Sequence, residues 1–247
     1  MITVDSAVHN LLKPLTTQYG FKKKRNVYIR LVNDMVQVFN LKKMYGCKCS
    51  IEFDSFPLCA GNTVFFGTHD IDMFEEIKYF EKQDKRFIYF KDDESSIYRV
   101  AEELFNVAKK YLFPYFESTD NSKSHFDTWV NPKTNLYMRR YDDSPNADDA
   151  LESFCSWNYQ LHAIALKNHN YSFAIKHIIC KIDSYEETFQ KYDFDPESDN
   201  GKWDIEIYHK YVTLKEWVEN EDNAKIDAFV AENEDISLQA LKVKYRI

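Results

Sequence analysis

The stretch VYIRLVNDMVQVFNL, residues 27–41, decides the fold class that the sequence predicts for its N-terminal half. Its two flanks, residues 27–32 and 35–41, are rich in Val, Ile, Phe and Leu, which favour β-strands. Asn33 and Asp34 separate these flanks, and both residue types tolerate the positive φ that a two-residue hairpin turn needs. The stretch therefore predicts an antiparallel β-hairpin.

Elements on either side of this hairpin extend the prediction to an α+β domain over residues 1–117. Apolar residues at helical spacing predict a helix over residues 2–18, which contains Pro14, and another from Ser95-Ser96 to Leu112. A third strand is predicted at residues 47–53, where apolar and polar side chains alternate. The apolar positions of that strand are Cys47, Cys49, Ile51 and Phe53. Shorter strand candidates lie at residues 63–66 and 86–90, so helices should cover an antiparallel sheet.

The C-terminal part, residues 148–247, is predicted to be mainly α-helical. Apolar stripes over residues 151–165 and 171–189 flank His169-Asn170, which predicts an antiparallel helical hairpin. Further helices are predicted at residues 203–219, 223–232 and 236–244. Polar residues 118–147 lie between the two parts and predict a linker, or a small hairpin formed by residues 126–130 and 135–141.

Composition limits the classes of function. The chain has 5 glycines in 247 residues and lacks both glycine-rich phosphate-loop motifs, which argues against the common nucleotide-binding folds. No cofactor is therefore predicted. The first ten residues lack a basic stretch followed by an apolar run, and no segment is apolar enough to span a membrane. With an odd number of cysteines as well, we expect a cytoplasmic protein with reduced thiols and no membrane partner.

Charge is distributed unevenly along this acidic chain, whose net charge is −8. Residues 1–50 carry a net charge of +7, whereas residues 183–235 carry −12. Such an uneven distribution of charge suits the binding of two different partners, or the pairing of the two ends of the chain across an interface.

Two segments near the N-terminus form a distinctive pair. The step Gly20-Phe21-Lys22-Lys23 leads into a strand through Tyr28, and the strand Val36-Gln37-Val38-Phe39-Asn40-Leu41 follows. Together, within residues 11–58, they resemble the bacterial domain-of-unknown-function family numbered 4304, over roughly the first 115 residues. The resemblance implies an α+β fold for this region and supplies neither an activity nor site residues.

A basic segment at residues 21–30 is the first candidate site. Its residues of interest are Lys22, Lys23, Lys24, Arg25, Tyr28 and Arg30. Basic side chains hold phosphates and interleaved aromatic rings stack on bases, so the segment predicts nucleic-acid binding. The alternative is a connection between helix and strand whose lysines stay in water.

An acidic stretch at residues 195–206 is the second candidate site. Calcium loops place oxygen ligands at positions 1, 3, 5 and 12. In this stretch, those positions hold Asp195, Glu197, Asp199 and Glu206. Asn200 occupies the position of the turn glycine, a residue type that can also adopt the left-handed conformation. The spacing predicts a calcium-like loop, and the alternative is an acidic turn between two helices.

The aromatic residues of the acidic helical part are the third candidate site. Those chosen as a partner surface are Trp203, Tyr208, Tyr211 and Trp217. Tyr and Trp offer large, stiff contact areas at low entropic cost, which suits a protein interface. The alternative is an aromatic core and boundary layer.

The absence of catalytic motifs, the charge polarity and the acidic aromatic helices favour a non-enzymatic protein-binding module. A basic protein partner would be attracted by electrostatic steering, and a toxin-neutralising or defence-accessory role is compatible with this hypothesis. Two alternatives stay open. One is a nucleic-acid-binding protein that uses residues 21–30, and the other is an enzyme whose site is assembled from residues far apart in the sequence.

Overall fold

The computed structural model describes residues 2–44, 48–65, 67, 69–70, 88–89, 91, 93–136, 147–191 and 193–247. The chain divides into two compact units. The N-terminal unit comprises Met1–Leu58, Asn62–Arg139 and Leu238–Ile247, and the helical unit comprises Cys59–Gly61 and Arg140–Ser237. The predicted α+β class with a helical C-terminal region is confirmed. None of the described helices is long and apolar enough to cross a lipid bilayer.

An antiparallel sheet forms the centre of the N-terminal unit. Its strands are β1 (Lys22–Lys24), β2 (Val27–Val32), β3 (Met35–Met44), β4 (Lys48–Pro57), β5 (His69–Asp70) and β6 (Ile88–Tyr89). The strand order is β1-β2-β3-β4-β5, and β6 also pairs with β4. The predicted hairpin is confirmed, because Val32 pairs with Met35 across a turn in which Asn33 has a φ of 50°. Cys47, predicted to lie on a buried strand face, is outside the described residues.

Helices cover one face of this sheet. They are α1 (Val4–Gln18), α2 (Glu94–Val107), a π-helical turn (Ala108–Leu112), α3 (Phe113–Ser118) and α4 (Ser122–Val130). Helix α2 begins after Asp93, whose side chain accepts a hydrogen bond from the Ser96 N–H, so the helix starts slightly earlier than predicted. The rings of Phe113 and Phe116 lie 6.0 and 6.3 Å from the ring of Phe39 on β3.

The predicted linker at residues 118–147 is different in the structure. Residues 122–130, part of which was predicted as a strand, form α4 instead, because Asn121 caps its first turn by accepting a hydrogen bond from the Ser124 N–H. This segment belongs to the N-terminal unit. Most of the second predicted hairpin strand, residues 137–141, lies outside the described residues, and residues 63–65 form no strand.

The C-terminal residues cover the opposite face of the sheet. Leu241, in a π-helical turn at Leu241–Tyr245, is buried in one apolar cluster with Ile29, Val36 and Phe65. The Tyr245 hydroxyl donates a hydrogen bond to the Phe65 carbonyl and accepts one from the Phe65 N–H, each at 2.9 Å. The sheet of the N-terminal unit therefore has buried apolar residues on both faces.

The helical unit contains α5 (Ala147–Trp157), α6 (Tyr159–Lys167), α7 (Tyr171–Phe189), α8 (Asp199–Glu219) and most of α9 (Asn223–Ala240). The predicted hairpin is present as α6 and α7. The stripe over residues 151–165 is divided, because Asn158 ends α5 and caps α6. The two helices predicted at residues 223–232 and 236–244 form one continuous α9 up to Ala240.

Candidate ligand-binding pocket

A cavity of about 240 Å³ lies in the N-terminal unit between α1 and the sheet. We call it the α1–sheet pocket. We call its apolar lining residues the floor, and these are Val8, Leu12, Phe39, Leu41 and Ile51. We call its polar lining residues the rim, and these are Asp5, Lys23, Arg25, Asn26 and Tyr28. A cavity with an apolar body and a few convergent polar groups is typical of small-molecule sites.

Strand register brings the rim and the floor onto one face of the sheet. Lys23 pairs with Tyr28 across β1 and β2, and Tyr28 pairs with Phe39 across β2 and β3. Leu41 pairs with Ile51 across β3 and β4. Directly paired residues present their side chains to the same face, so all five contribute to one surface. The Tyr28 and Phe39 rings stack with centroids 4.4 Å apart.

Helix α1 supplies the other wall. Asp5, Val8 and Leu12 are three and four residues apart, a spacing that puts them on one side of a helix. A capping box formed by Thr3 and Ser6 holds the first turn of α1, next to Asp5. The pocket wall therefore stands on a helix whose N-terminal hydrogen bonds are satisfied.

The negative charge on the rim has an ion-pair partner, whereas the two positive charges have none within the ranges that the structure describes. Asp5 forms an ion pair with Lys43, so its carboxylate is compensated. The Lys23 ammonium lies 5.5 Å from the centre of the Tyr28 ring. Among the described residues, neither Lys23 nor Arg25 has an acidic partner. The rim therefore carries two cationic groups without a counter-ion from the described parts of the chain.

A histidine and tyrosine pair lies beside the pocket. His9 Nδ1 and the Tyr28 hydroxyl share a hydrogen bond of 2.8 Å. Burial, helped by the Asp5 charge, raises the pKa of Tyr28 to about 12. Burial and the nearby Lys23 and Lys13 ammonium groups lower the pKa of His9. Both groups are therefore neutral at neutral pH.

The residues predicted to bind nucleic acid are not on one surface, and apart from Arg30 they form two groups. Lys23, Arg25 and Tyr28 line the α1–sheet pocket. Lys22 and Lys24 pair with Ile29 and Val27, which puts their side chains on the other face of the sheet. Tyr28 is buried against Phe39 and is not a free stacking platform for bases.

Arg30 is a structural residue rather than an exposed basic contact. Its side chain is 9% exposed. It donates hydrogen bonds to the Tyr19 carbonyl and the Gln37 side chain, each at 2.8 Å. This burial favours the alternative in which Arg30 is structural, and its contact with nucleic acid stays a prediction.

The predicted calcium-like loop is a turn followed by a helix start. Helix α8 begins at Asp199 behind the N-cap Ser198, so Glu206 lies two turns further on, about 10 Å along the axis. Asp195 Oδ1 accepts a hydrogen bond from the Glu197 N–H, and Glu197 pairs with Lys202. The described part of the chain contains no group of three or more His, Cys, Asp or Glu placed to hold a metal ion. The calcium-like expectation is therefore corrected.

The four aromatic residues predicted to form a partner surface differ in their exposure to solvent. Trp203 is 58% exposed, whereas Tyr208, Tyr211 and Trp217 are partly buried. The Tyr208 ring packs edge-on against Phe189 at 5.4 Å, which removes much of its area from solvent. Only Trp203 of the four therefore presents most of its side chain to a partner.

A buried histidine pair in the helical unit was not predicted from the sequence. The rings of His162 on α6 and His177 on α7 stack with centroids 4.6 Å apart. Nδ1 of His177 lies 2.6 Å from the Ser156 carbonyl and Nδ1 of His162 lies 3.3 Å from the Ala174 carbonyl. Their sequence spacing gave no signal, since only the α6–α7 turn brings the two rings together.

Comparisons with known proteins add no relative. No protein-family model matches the chain. The searches of curated proteins and of solved structures find no similar protein either. The resemblance of residues 11–58 to the domain-of-unknown-function family stays a prediction, and the function is inferred from the geometry alone.

Proposed function

We propose that the N-terminal unit is a ligand-binding module, and that its α1–sheet pocket holds a small molecule with an apolar body. The observation that carries this proposal is the apolar floor, built by residues from α1, β3 and β4. Burial of apolar ligand surface on such a floor contributes roughly 25 cal/mol per Å². The pocket volume of about 240 Å³ limits the occupant to a small molecule.

The chemistry of the rim favours binding over catalysis. Asp5 is paired with Lys43, and the raised pKa of Tyr28 keeps its hydroxyl protonated at neutral pH. An effective general base or nucleophile needs a pKa close to the working pH, or an activating neighbour. The proposed function shares its non-enzymatic character with the protein-binding module that the sequence favours, and differs from it in the ligand, which is a small molecule rather than a protein.

A titration with hexan-1-ol, followed by two-dimensional amide NMR of the whole chain, tests this proposal. We expect saturable shifts at the residues that line the pocket. Val8→Phe should abolish them because the larger ring fills the cavity, and Ile179→Phe on the exposed surface of the helical unit should not. If overpacking unfolds the Val8 variant, Asn26→Trp at the exposed rim blocks entry without a core change. Absence of saturable pocket shifts in the folded wild type, both with this alcohol and with the carboxylic acid of the same chain length, would refute the proposal.

A second candidate function concerns the helical unit and is the recognition of a basic protein. Trp203 is 58% exposed and lies within residues 183–235, which carry a net charge of −12. An exposed tryptophan in an acidic environment is a suitable anchor for a cationic surface. Lysate capture after nuclease treatment should lose one protein with Trp203→Ala and keep it with Trp157→Ala, which removes another exposed tryptophan. Equal capture by both variants argues against a Trp203 surface.

A further inference from the structure

The two cations on the pocket rim indicate the charge of the occupant. Lys23 and Arg25 both line the α1–sheet pocket, and neither has an acidic partner among the described residues. The one carboxylate on the rim, Asp5, is held by Lys43. A ligand that entered with a positive or neutral polar end would leave the two cations without a counter-charge. An anionic end would supply one.

The backbone at Arg25 adds an independent observation. Arg25 connects β1 to β2 and has a φ of 56°, in the left-handed region. A residue with a side chain is uncommon there, and the conformation costs on the order of 1 kcal/mol that glycine would not. The two-residue turn between β1 and β2 needs this conformation at its first residue, as the turn at Asn33 does, and glycine would adopt it more easily. Arginine occupies the position instead, and Arg25 is one of the residues that line the pocket.

The volume of the cavity limits the size of the anion. A volume of about 240 Å³ is close to the lower end of the range for small-molecule sites. Five apolar residues line the pocket beside its two cations, so a ligand with one small charged end and an apolar chain uses more of the lining than a bare phosphate does.

We propose that the occupant of the α1–sheet pocket is a small monocarboxylate whose carboxylate lies between Lys23 and Arg25 and whose apolar chain lies on the floor. This inference rests on the proposed function and specifies its ligand class. Lys23 and Arg25 determine the preference for an acid, while Val8, Leu12 and Phe39 contact the chain. The neighbouring Lys22 and Lys24 have no part in it, because they lie on the other sheet face.

Hexanoate and hexan-1-ol, which share a chain and differ in the charged end, test the inference on the full chain. We expect hexanoate to bind wild type at least about ten-fold more tightly than hexan-1-ol, and this preference to decrease as salt is added. Lys23→Gln and Arg25→Gln should each weaken hexanoate about five-fold and leave hexan-1-ol unchanged. The Lys22→Gln, Lys24→Gln double variant removes two charges outside the pocket, as many as the Lys23→Gln, Arg25→Gln double variant removes inside it, and should bind both probes as wild type does.

Arg25→Gly separates a binding role from a structural one. Glycine adopts the positive φ without strain, so the unfolding midpoint should equal or exceed that of wild type while hexanoate affinity decreases about five-fold. A loss of affinity that accompanies a loss of stability would instead identify Arg25 as a structural residue.

The outcomes distinguish this inference from the proposed function. If hexan-1-ol binds wild type as tightly as hexanoate does, or if the preference persists in the Lys23→Gln, Arg25→Gln double variant, the monocarboxylate inference is overturned and the ligand-binding function stands. If neither probe binds, both are overturned. Displacement of hexanoate by inorganic phosphate alone at equal concentration would also overturn the inference, because it would show that the apolar chain is not recognised.

Discussion

Arg30 connects the sheet of the N-terminal unit to the helices that cover it. Its Nε donates a hydrogen bond to Gln37 Oε1, and its Nη1 donates one to the Tyr19 carbonyl. Gln37 in turn donates from Nε2 to the carbonyls of Phe116 and Thr119, at 2.7 and 2.9 Å. The two side chains therefore satisfy backbone groups at the ends of α1 and α3, where helix carbonyls lack partners within the helix.

We expect Arg30→Met to destabilise the protein by about 3 kcal/mol. The change keeps the apolar stem but leaves Gln37 Oε1 and the Tyr19 carbonyl without their donor, and buried unpaired acceptors are costly. Urea unfolding followed by circular dichroism measures the difference. Arg99→Met is the matched control, because Arg99 forms an exposed pair with Glu103 and its loss should cost less than about 1 kcal/mol. Equal effects of the two variants would contradict a structural role for Arg30.

The C-terminal turn at Leu241–Tyr245 completes the N-terminal unit. Leu241 is 1% exposed, whereas Val243, two residues later in the same turn, is 75% exposed. Leu241→Ala should lower the free energy of unfolding by about 2–4 kcal/mol, because it removes apolar contact with the sheet and leaves a cavity. Val243→Ala should change it by less than about 0.5 kcal/mol. Thermal unfolding of both variants tests this, and similar melting temperatures would show that the turn does not cover the sheet.

Elements formed by neighbouring residues could be predicted from the sequence, whereas distant contacts could not. The β2–β3 hairpin follows from strand-forming residues around Asn33, and the α6–α7 hairpin follows from two apolar stripes around His169-Asn170. The packing of Tyr245 on Phe65 joins residues 180 positions apart. Helical periodicity at the C-terminus indicates an apolar side but not the surface on which that side packs.

The candidate pocket could be predicted in part. Lys23, Arg25 and Tyr28 stood out because basic and aromatic residues are adjacent in the sequence. The floor residues Val8 and Leu12 belong to the apolar residues whose helical spacing predicts α1, yet such spacing does not show where packing leaves a cavity. The burial of Arg30 could have been predicted, because Arg30 lies two residues from Tyr28 on one strand and so shares its sheet face.

At the scale of the whole molecule, the two units differ in how acid should affect them. In the helical unit, burial and the charge of His177 lower the pKa of His162 to about 3. Burial, with a smaller contribution from Lys181, lowers the pKa of His177 to about 4. In the unfolded chain, both histidines titrate near 6.5. Their neutral forms are therefore favoured by folding, and this stabilisation is complete above about pH 6.5 and is lost as the pH decreases toward the folded pKa values.

We expect acidification to about pH 5 to destabilise the helical unit by about 2 kcal/mol for each of these two histidines, because the unfolded chain binds protons that the folded unit excludes. Hydrogen exchange measured by mass spectrometry should show α6 and α7 losing protection while β2 and β3 keep it.

The His162→Phe, His177→Phe double variant should flatten this pH dependence, although its stability at neutral pH decreases because two hydrogen bonds to backbone carbonyls are lost. His169→Phe, which changes an exposed histidine of the same unit, should leave the pH dependence of α6 and α7 as in wild type. Loss of protection in both units at the same pH, or an unchanged pH dependence in the double variant, would show that the buried pair does not determine the acid response.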